Sequence, residues 1–161
     1  MYHVCQVKDA QNTATSALEQ LFDLSQTRDR LMMAMAENLL EKGYSEIVVA
    51  DVVKRARVSR RTFYEEFADR GDCFLALCNR SSEISRKVID AAADPTLPWE
   101  EQVNRAVGHY FGFMTAEPRL THSLLFEIHA LGERGLVSHR ETHHAFTEQM
   151  LELAERSREN G

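Results

Sequence analysis

The apolar positions of this chain recur every three or four residues over most of its length. This spacing puts them on one face of a helix and is typical of amphipathic α-helices. Glycine and proline, which interrupt helices, number only 7 and 3 in 161 residues. The pattern predicts an all-α fold, with a short helix beginning after Ser59 and further helices near residues 16–24, 27–42, 47–56, 72–93, 98–116, 118–130 and 137–158.

The predicted helices also carry signals for their ends and their inner faces. Thr27 is expected to cap the N-terminus of the helix at 27–42, and Gly43 stands where a left-handed residue often ends a helix. In the helix at 98–116, the periodicity predicts five inward-facing side chains, namely Val103, Val107, Tyr110, Phe111 and Met114.

Two short helices near the centre of the N-terminal half are separated by a tight turn. The first covers residues 47–56, and the turn is Ala56-Arg57-Val58. Ser59 then caps the next helix, whose inner residues are Phe63 and Phe67. A helix, a three-residue turn and a capped helix together predict a helix-turn-helix.

The charge of the chain is unevenly distributed. Its net value of −6 by itself argues against nucleic-acid binding, and residues 91–161 account for most of it, with 6 Lys and Arg against 11 Asp and Glu. Residues 54–61 form a basic island without any acid, made of Lys54, Arg55, Arg57, Arg60 and Arg61. Because DNA binding depends on local positive surface rather than total charge, this island is compatible with a DNA contact.

The start of the third helix holds residue types that suit DNA. The second helix of a helix-turn-helix lies in the major groove, where arginine binds guanine or phosphate and threonine contacts a thymine methyl group. The candidate contacts are Ser59, Arg60, Arg61, Thr62 and Tyr64, whereas Phe63 is expected to point into the core. A charged helix face that only meets solvent is the plain alternative.

The order and spacing of the residues from Thr27 to Phe74 resemble those of the N-terminal domain of the tetracycline-repressor (TetR) family. The resemblance is carried by Gly43-Tyr44, by Val49-Ala50-Asp51-Val52 and by the run from Ala56 to Arg70. It implies double-stranded operator DNA as the partner of a transcriptional regulator, most often a repressor. The residues it places at DNA are Ser59, Arg60, Arg61, Thr62 and Tyr64, with Lys54 and Arg57 beside them and Arg70 where the family has a phosphate-binding lysine.

Three positions depart from the family pattern. The turn glycine is Arg57, which in a left-handed turn is expected to cost roughly 1 kcal/mol or to add a phosphate contact. Val48 replaces the usual capping threonine, so Ser45 is expected to start the preceding helix instead. Glu66 stands in the place of a common histidine, which removes one possible phosphate contact.

The resemblance also implies an organisation for the whole chain. It comprises an N-terminal extension over 1–24, the DNA-binding domain over 25–71 and a helical regulatory domain over 72–161, which would sense an unknown small-molecule effector. The family dimerises through two last helices, and few residues are left for them, so the chain is expected to be a fragment or a shortened member that is a homodimer in full-length form. Candidate effector-lining residues, which at helical spacing are more often plain core, are Trp99, His109, Tyr110, Phe113, Met114, His122, Phe126 and His129.

Other classes of function find less support in the sequence. His139 and His143 are four residues apart, but a single Glu-x-x-His at 141–144 is half of what a di-iron bundle needs, so neither a metal nor a cofactor is predicted. No phosphate-binding loop, nucleophile elbow or paired zinc-ligand motif indicates an enzyme. A helical module that binds a protein, metal or other ligand without binding DNA stays open as the alternative.

The cysteine count and the hydropathy indicate a location. Three cysteines without paired spacing, Cys5, Cys73 and Cys78, suggest reduced thiols of a cytoplasmic protein. The N-terminal residues show no signal peptide, and no apolar run is long enough to predict a membrane span.

Overall fold

The computed structural model describes residues 22–92, 94 and 96–159, and within them the secondary structure is helical without any strand. Two 3₁₀ turns, Tyr44–Glu46 and Glu127–Leu131, are called here the first and the second 3₁₀ turn. The all-α prediction is confirmed, while the predicted helix at 16–24 lies largely outside the described residues. The helices are α1 (Thr27–Glu41), α2 (Val49–Ala56), α3 (Arg60–Glu66), α4 (Arg70–Ala92), α5 (Trp99–Ala116), α6 (Pro118–Phe126) and α7 (Glu133–Glu159).

One hydrophobic core joins α1–α4 to the C-terminal half of the chain. The apolar stripe of α1 lies at its centre, and Leu31 and Leu39 are fully buried there. The ring of Phe74, from α4, stacks on that of Tyr44 with 4.5 Å between centroids. Leu120 of α6 and Ile128 of the second 3₁₀ turn belong to the same core. The helix-turn-helix region is therefore packed directly against elements far along the chain.

A second, smaller cluster holds the distal part of the long helices together. It contains Ile89 of α4, Ala106 of α5 and Leu153 of α7, with Tyr110 and Phe146 packed against them. The predicted inner face of α5 is only partly correct, because Phe111 is 60% exposed. Val107, although 46% exposed, faces the space between the helices as predicted. The apolar stripe of α5 is wider than the surface that the neighbouring helices cover.

The predicted ends of α1 are wrong in detail. Gln26 occupies the N-cap position, and Thr27 is the first helical residue, whose hydroxyl accepts a 3.4 Å hydrogen bond from Arg30. Gly43 is not left-handed, since its φ is −66°. A side chain at Gly43 would instead meet Glu127, because an added Cβ atom would lie 3.0 Å from Glu127 Oε1. The glycine thus permits a close tertiary approach rather than a turn.

The start of α2 differs from the prediction as well. The helix begins at Val49, and Ser45, predicted to start it, lies in the first 3₁₀ turn. The N–H of Val48 donates to Asp51 Oδ2 at 2.9 Å, and Lys42 Nζ donates to the same oxygen at 2.7 Å. These bonds hold the pKa of Asp51 below its ordinary value. Asp51 therefore supplies one half of a capping box by accepting from the N-cap N–H, while the apolar Val48 side chain cannot supply the half that a threonine hydroxyl would.

The turn after α2 contains a strained residue. Arg57 has φ 55° and ψ 45°, and it is the one non-glycine residue with positive φ in the described part of the chain. The N–H of Arg57 donates to Lys54 O at 3.4 Å and that of Val58 to Val53 O at 3.1 Å. This bond pair is a Schellman motif, which requires the left-handed residue. The predicted left-handed turn at Arg57 is confirmed.

Three histidines meet where α7 packs on the second 3₁₀ turn. The rings of His129 and His139 are 4.9 Å apart, and those of His139 and His143 are 4.3 Å apart. Burial, together with the two neighbouring imidazoles, lowers the pKa of His139 below its ordinary value of 6.5. The neutral form of this side chain is therefore favoured in the folded protein.

Replacing Arg57 with glycine should stabilise the protein. Glycine adopts the left-handed conformation without the Cβ clash, so we expect the Arg57→Gly variant to unfold with a free energy about 1 kcal/mol higher and a Tm about 2–4 °C higher. Thermal and urea unfolding measure this difference. Arg57→Ala, which removes the side chain but keeps the Cβ atom, is the control, and an equal gain in both variants would refute strain as the cause.

Folding stability should fall as the pH drops below about 6.5, and His139 should account for part of the fall. In that range the unfolded chain binds a proton at residue 139 that the folded protein resists, so acid favours unfolding. We expect His139→Gln to show a smaller loss of stability between pH 7.5 and pH 5.5, measured by urea unfolding at each pH. His109→Gln, at an exposed histidine, is the control. Superimposable profiles for wild type and His139→Gln would contradict the prediction.

Candidate nucleic-acid interface and interhelical cavity

The helix α3 is held by two buried aromatic side chains and a capping serine. Phe63 is fully buried and Phe67 is 3% exposed, with 5.8 Å between their ring centroids. The Thr62 N–H donates to Ser59 Oγ at 3.0 Å, and the two hydroxyl oxygens are 2.9 Å apart. The predictions that Ser59 caps this helix and that Phe63 and Phe67 form its inner face are confirmed.

Arg28 of α1 fixes the C-terminal end of α3, a contact that the sequence analysis missed. Its Nη1 donates to the backbone carbonyl oxygen of Glu66 at 2.7 Å, and its guanidinium lies 4.2 Å from the centroid of the Phe67 ring. The Glu66 carboxylate is 4.0 Å from the same nitrogen. Glu66 is thus turned towards Arg28, and its negative charge is partly compensated. The partners are 38 residues apart, and no local pattern signals such a contact.

The outer face of α3 presents most of the predicted DNA contacts to solvent. Arg60 is exposed, the Tyr64 side chain is 56% exposed, and Tyr64 meets Phe63 edge to face at 5.4 Å. The Arg61 side chain is 89% exposed and its Nε donates to Glu65 Oε1 at 3.0 Å. An exposed ion pair of this kind contributes little to stability, so phosphate or guanine can compete for Arg61.

The two predicted cations before α3 lie at the same surface. Lys54, on α2, and Arg57, in the turn, are both exposed. Together with Arg60 and Arg61 they form a solvent-exposed cationic surface, which we call the cationic face. A positive surface beside a helix N-terminus suits the phosphate backbone of a duplex.

Two other arginines of the region are turned inward. Arg55 pairs with acids of α1, its Nη2 lying 2.6 Å from Glu41 Oε1 and its Nη1 3.9 Å from Glu37 Oε2. Arg70 donates to the backbone carbonyl oxygens of Tyr44 and Ile47, and its guanidinium stacks 4.2 Å from the Tyr44 ring centroid. The predicted role of Arg70 at a phosphate is thus not the one seen here, because its donors bind backbone carbonyls of the preceding turn.

A cavity of about 740 Å³ opens between α4, α5, α6 and α7. Such a volume is typical of sites for small organic molecules. Apolar side chains make up most of its wall, and α4, α6 and α7 supply side chains to it that the sequence analysis did not single out. They include Ile84, Ile89, Leu120, Leu124, Phe146 and Met150.

The predicted ligand-lining residues are divided by the structure. Tyr110 and Met114 of α5 lie in the cavity wall. The side chain of Phe113 is outside the described part of the structure. Five other predicted side chains are exposed and lie outside this wall, on other faces of α5, α6 and the second 3₁₀ turn. They are Trp99, His109, His122, Phe126 and His129.

Polar side chains form the smaller part of the cavity wall. Ser82 and Ser85 donate their hydroxyl protons to backbone carbonyls of α4, and Thr121 donates to Met114 O. Glu117 lies in the wall, and burial raises the pKa of its carboxyl. The other polar side chains of the wall are Ser81, Tyr110, His139, Thr142 and His143. Within the described residues no group of three or more His, Cys, Asp or Glu side chains is placed to hold a metal ion.

No membrane-spanning helix is found in the described part of the chain. None of the helices within residues 22–92 and 96–159 combines the length and the apolar character that crossing a bilayer requires.

Comparison with known proteins connects this architecture to one family. Residues 33–77 match the family described as bacterial regulatory proteins, tetR family. The transcriptional regulator AcuR of Cereibacter sphaeroides is 36% identical over 70 residues, which cover 44% of this chain and 32% of that protein. An uncharacterized HTH-type transcriptional regulator of Bacillus subtilis, YhgD, is 28% identical over 106 residues, 65% of this chain and 53% of its own length. The matches thus span between a third and about half of these relatives.

The fold is similar to that of a solved regulator. A crystal structure of the regulatory protein TetR from Rhodobacter sphaeroides superposes with a TM-score of 0.65 at 24% sequence identity, over 82% of this chain and 72% of that one. The two relatives named above are described as transcriptional regulators. Residues 33–77, which include the helix-turn-helix, therefore match the tetR family of bacterial regulatory proteins, and the described fold is similar to that of a solved regulator.

Proposed function

We propose that this protein is a transcriptional repressor that reads operator DNA with α3 and is released from it by a small molecule bound in the interhelical cavity. The observation that carries the proposal is the cationic face, because it coincides with the outer face of a helix that Phe63 and Phe67 hold from below. In this arrangement Arg60, Arg61 and Tyr64 reach bases or phosphates of one half-site, while Ser59 and Thr62 meet the backbone.

The cavity supports release by an effector. It lies between α4, α5, α6 and α7, of which α4 and α6 pack on α1, and its wall shares Leu120 and Ile128 with the main core. Among its described residues the wall carries no lysine or arginine, and its carboxylate and imidazole groups are those of Glu117 and the two histidines. We infer an effector with a mainly apolar body and few polar atoms, which would be buried against this wall.

Two copies of the protein should act together on an operator. Readers of this class bind two half-sites about one helical turn apart, so the full-length protein is expected to be a homodimer. Exposed apolar side chains on α7 support an interface there, because Leu136, Val137 and Leu151 are 50%, 41% and 59% exposed. We also infer a DNA-binding domain over 25–71, a regulatory domain over 72–161 and a location in the cytoplasm, where operator DNA is found.

Reversing two charges of α3 should abolish DNA binding. After selection of an operator from a random DNA library with the full-length protein, we expect Arg60→Glu plus Arg61→Glu to bind it at least 100-fold more weakly, because two phosphate- or guanine-facing cations become anions. The control is Arg119→Glu plus Arg140→Glu, at exposed arginines of α6 and α7. Unchanged DNA binding by the α3 variant would favour the alternative, a helical interaction module.

Arg61 should contribute both affinity and discrimination. We expect Arg61→Ala to weaken operator binding by about 1–3 kcal/mol, and to weaken binding to random DNA less if Arg61 reads a base. Binding titrations over a range of salt concentrations test this, since loss of one phosphate contact lowers the log–log slope by about 0.9. Affinity that does not depend on salt would contradict the proposed interface.

A further inference from the structure

Two polar contacts reach from one short segment of the regulatory half to the two ends of the helix-turn-helix. Glu127, the first residue of the second 3₁₀ turn, accepts a 3.0 Å hydrogen bond at Oε2 from the Tyr44 N–H, just before α2. Arg134, in the first turn of α7, donates to Asp69 Oδ2 at 3.1 Å and Asp72 Oδ1 at 2.7 Å, just after α3. We propose that Glu127 and Arg134 are positioning residues that hold the helix-turn-helix in its DNA-reading arrangement and report the state of the cavity to it.

A glycine lies directly beside each of the two contacts. A Cβ atom at Gly43 would lie 3.0 Å from Glu127 Oε1. A Cβ atom at Gly71 would lie 2.8 Å from Arg134 Nη2 and 2.9 Å from Asp69 Oδ1. Real Cβ contacts are rarely this close, so any other residue would displace the carboxylate or the guanidinium. A glycine at both places thus allows the two contacts to form at these distances without any shift of the neighbouring side chains.

The segment that carries both residues is also part of the cavity wall. Leu124, Leu125 and Ile128 line the cavity, and Glu127 is the immediate neighbour of Ile128. Gly135, next to Arg134, packs so closely on the backbone carbonyl of Ile128 that a Cβ atom has no room there. The start of α7 and the second 3₁₀ turn are therefore tied together. A molecule that displaces Ile128 would move Glu127 and Arg134 as one unit.

The electrostatics of the Arg134 contact suit a switch. Partial burial acts to raise the pKa of Asp69, but the Asp72 N–H and the Arg134 guanidinium outweigh it and leave the pKa lowered. The Arg134 and Asp69 side chains are 50% and 51% exposed. Exposed pairs contribute little to the folding free energy. The contact can therefore orient the end of α3 and yet be broken without unfolding the protein.

This inference rests on the proposed function, and the experiment separates the two. Ala106, buried in the cavity wall on α5, is replaced by tryptophan to occupy the cavity without any added ligand. Ala91→Trp, at an exposed position of α4, is the control. Residue-resolved hydrogen exchange then follows the Tyr44 N–H in the full chain, and operator affinity is measured on the same proteins.

We expect Ala106→Trp to speed exchange of the Tyr44 N–H at least 10-fold and to weaken operator binding at least 10-fold, with Ala91→Trp close to wild type. In the Glu127→Ala plus Arg134→Ala background, operator binding should already be several-fold weaker, and Ala106→Trp should change it less than 2-fold. Glu127→Gln keeps an oxygen that can accept from the Tyr44 N–H. In this background, Ala106→Trp should still change hydrogen exchange and operator affinity in part. A merely structural role for Glu127 would not produce this partial effect.

Two results would overturn the inference. One is exchange at Tyr44 that does not respond to Ala106→Trp. The other is an undiminished effect of Ala106→Trp on operator affinity when both positioning residues are alanine. If the Tyr44 N–H responds but no variant binds DNA, the positioning contacts stand and the proposed function fails.

Discussion

The DNA-facing surface of this protein depends on the burial of Phe63 and Phe67 beneath a helix of seven residues. A helix this short is not stable alone, because its nucleation costs more than its few hydrogen bonds return. Two phenylalanines four residues apart can each contribute about 1.5–3 kcal/mol on burial, and they lie on one face. Once that face is against the core, Arg60, Arg61 and Tyr64 can only face solvent.

The remaining charges show how an acidic protein keeps one cationic surface. Acids of α1 neutralise Arg55, and backbone carbonyls before α2 take up the donors of Arg70. Arg28 compensates Glu66 at the end of α3. The remaining cations, which form the cationic face, lie beside the N-terminus of α3, where the helix dipole is also positive. The local potential is therefore positive although the chain carries −6.

The cavity and the main core that holds the helix-turn-helix share packed side chains. Leu120 and Ile128 belong at once to the cavity wall and to the main core that holds α1–α4. Close-packed interiors transmit displacement because neighbouring side chains have little free volume to absorb it. The half-exposed ion pairs of Arg134 with Asp69 and Asp72 also join the start of α7 to the segment after α3, and exposed pairs of this kind contribute little to stability.

The sequence predicted local features of the chain, but it did not predict contacts between distant residues. The cap at Ser59, the left-handed turn at Arg57 and the burial of Phe63 follow from residues within a few positions of each other. Periodicity likewise located the helices and found Tyr110 and Met114 in the cavity wall.

Packing between distant segments decided three features that the sequence did not predict. They are the inward orientation of Arg70, the close approach at Gly43 and the exposure of Phe111. Helical spacing states which side chains share a face. It does not state which element covers that face, because the covering element, such as Glu127 over Gly43, lies up to 84 residues away.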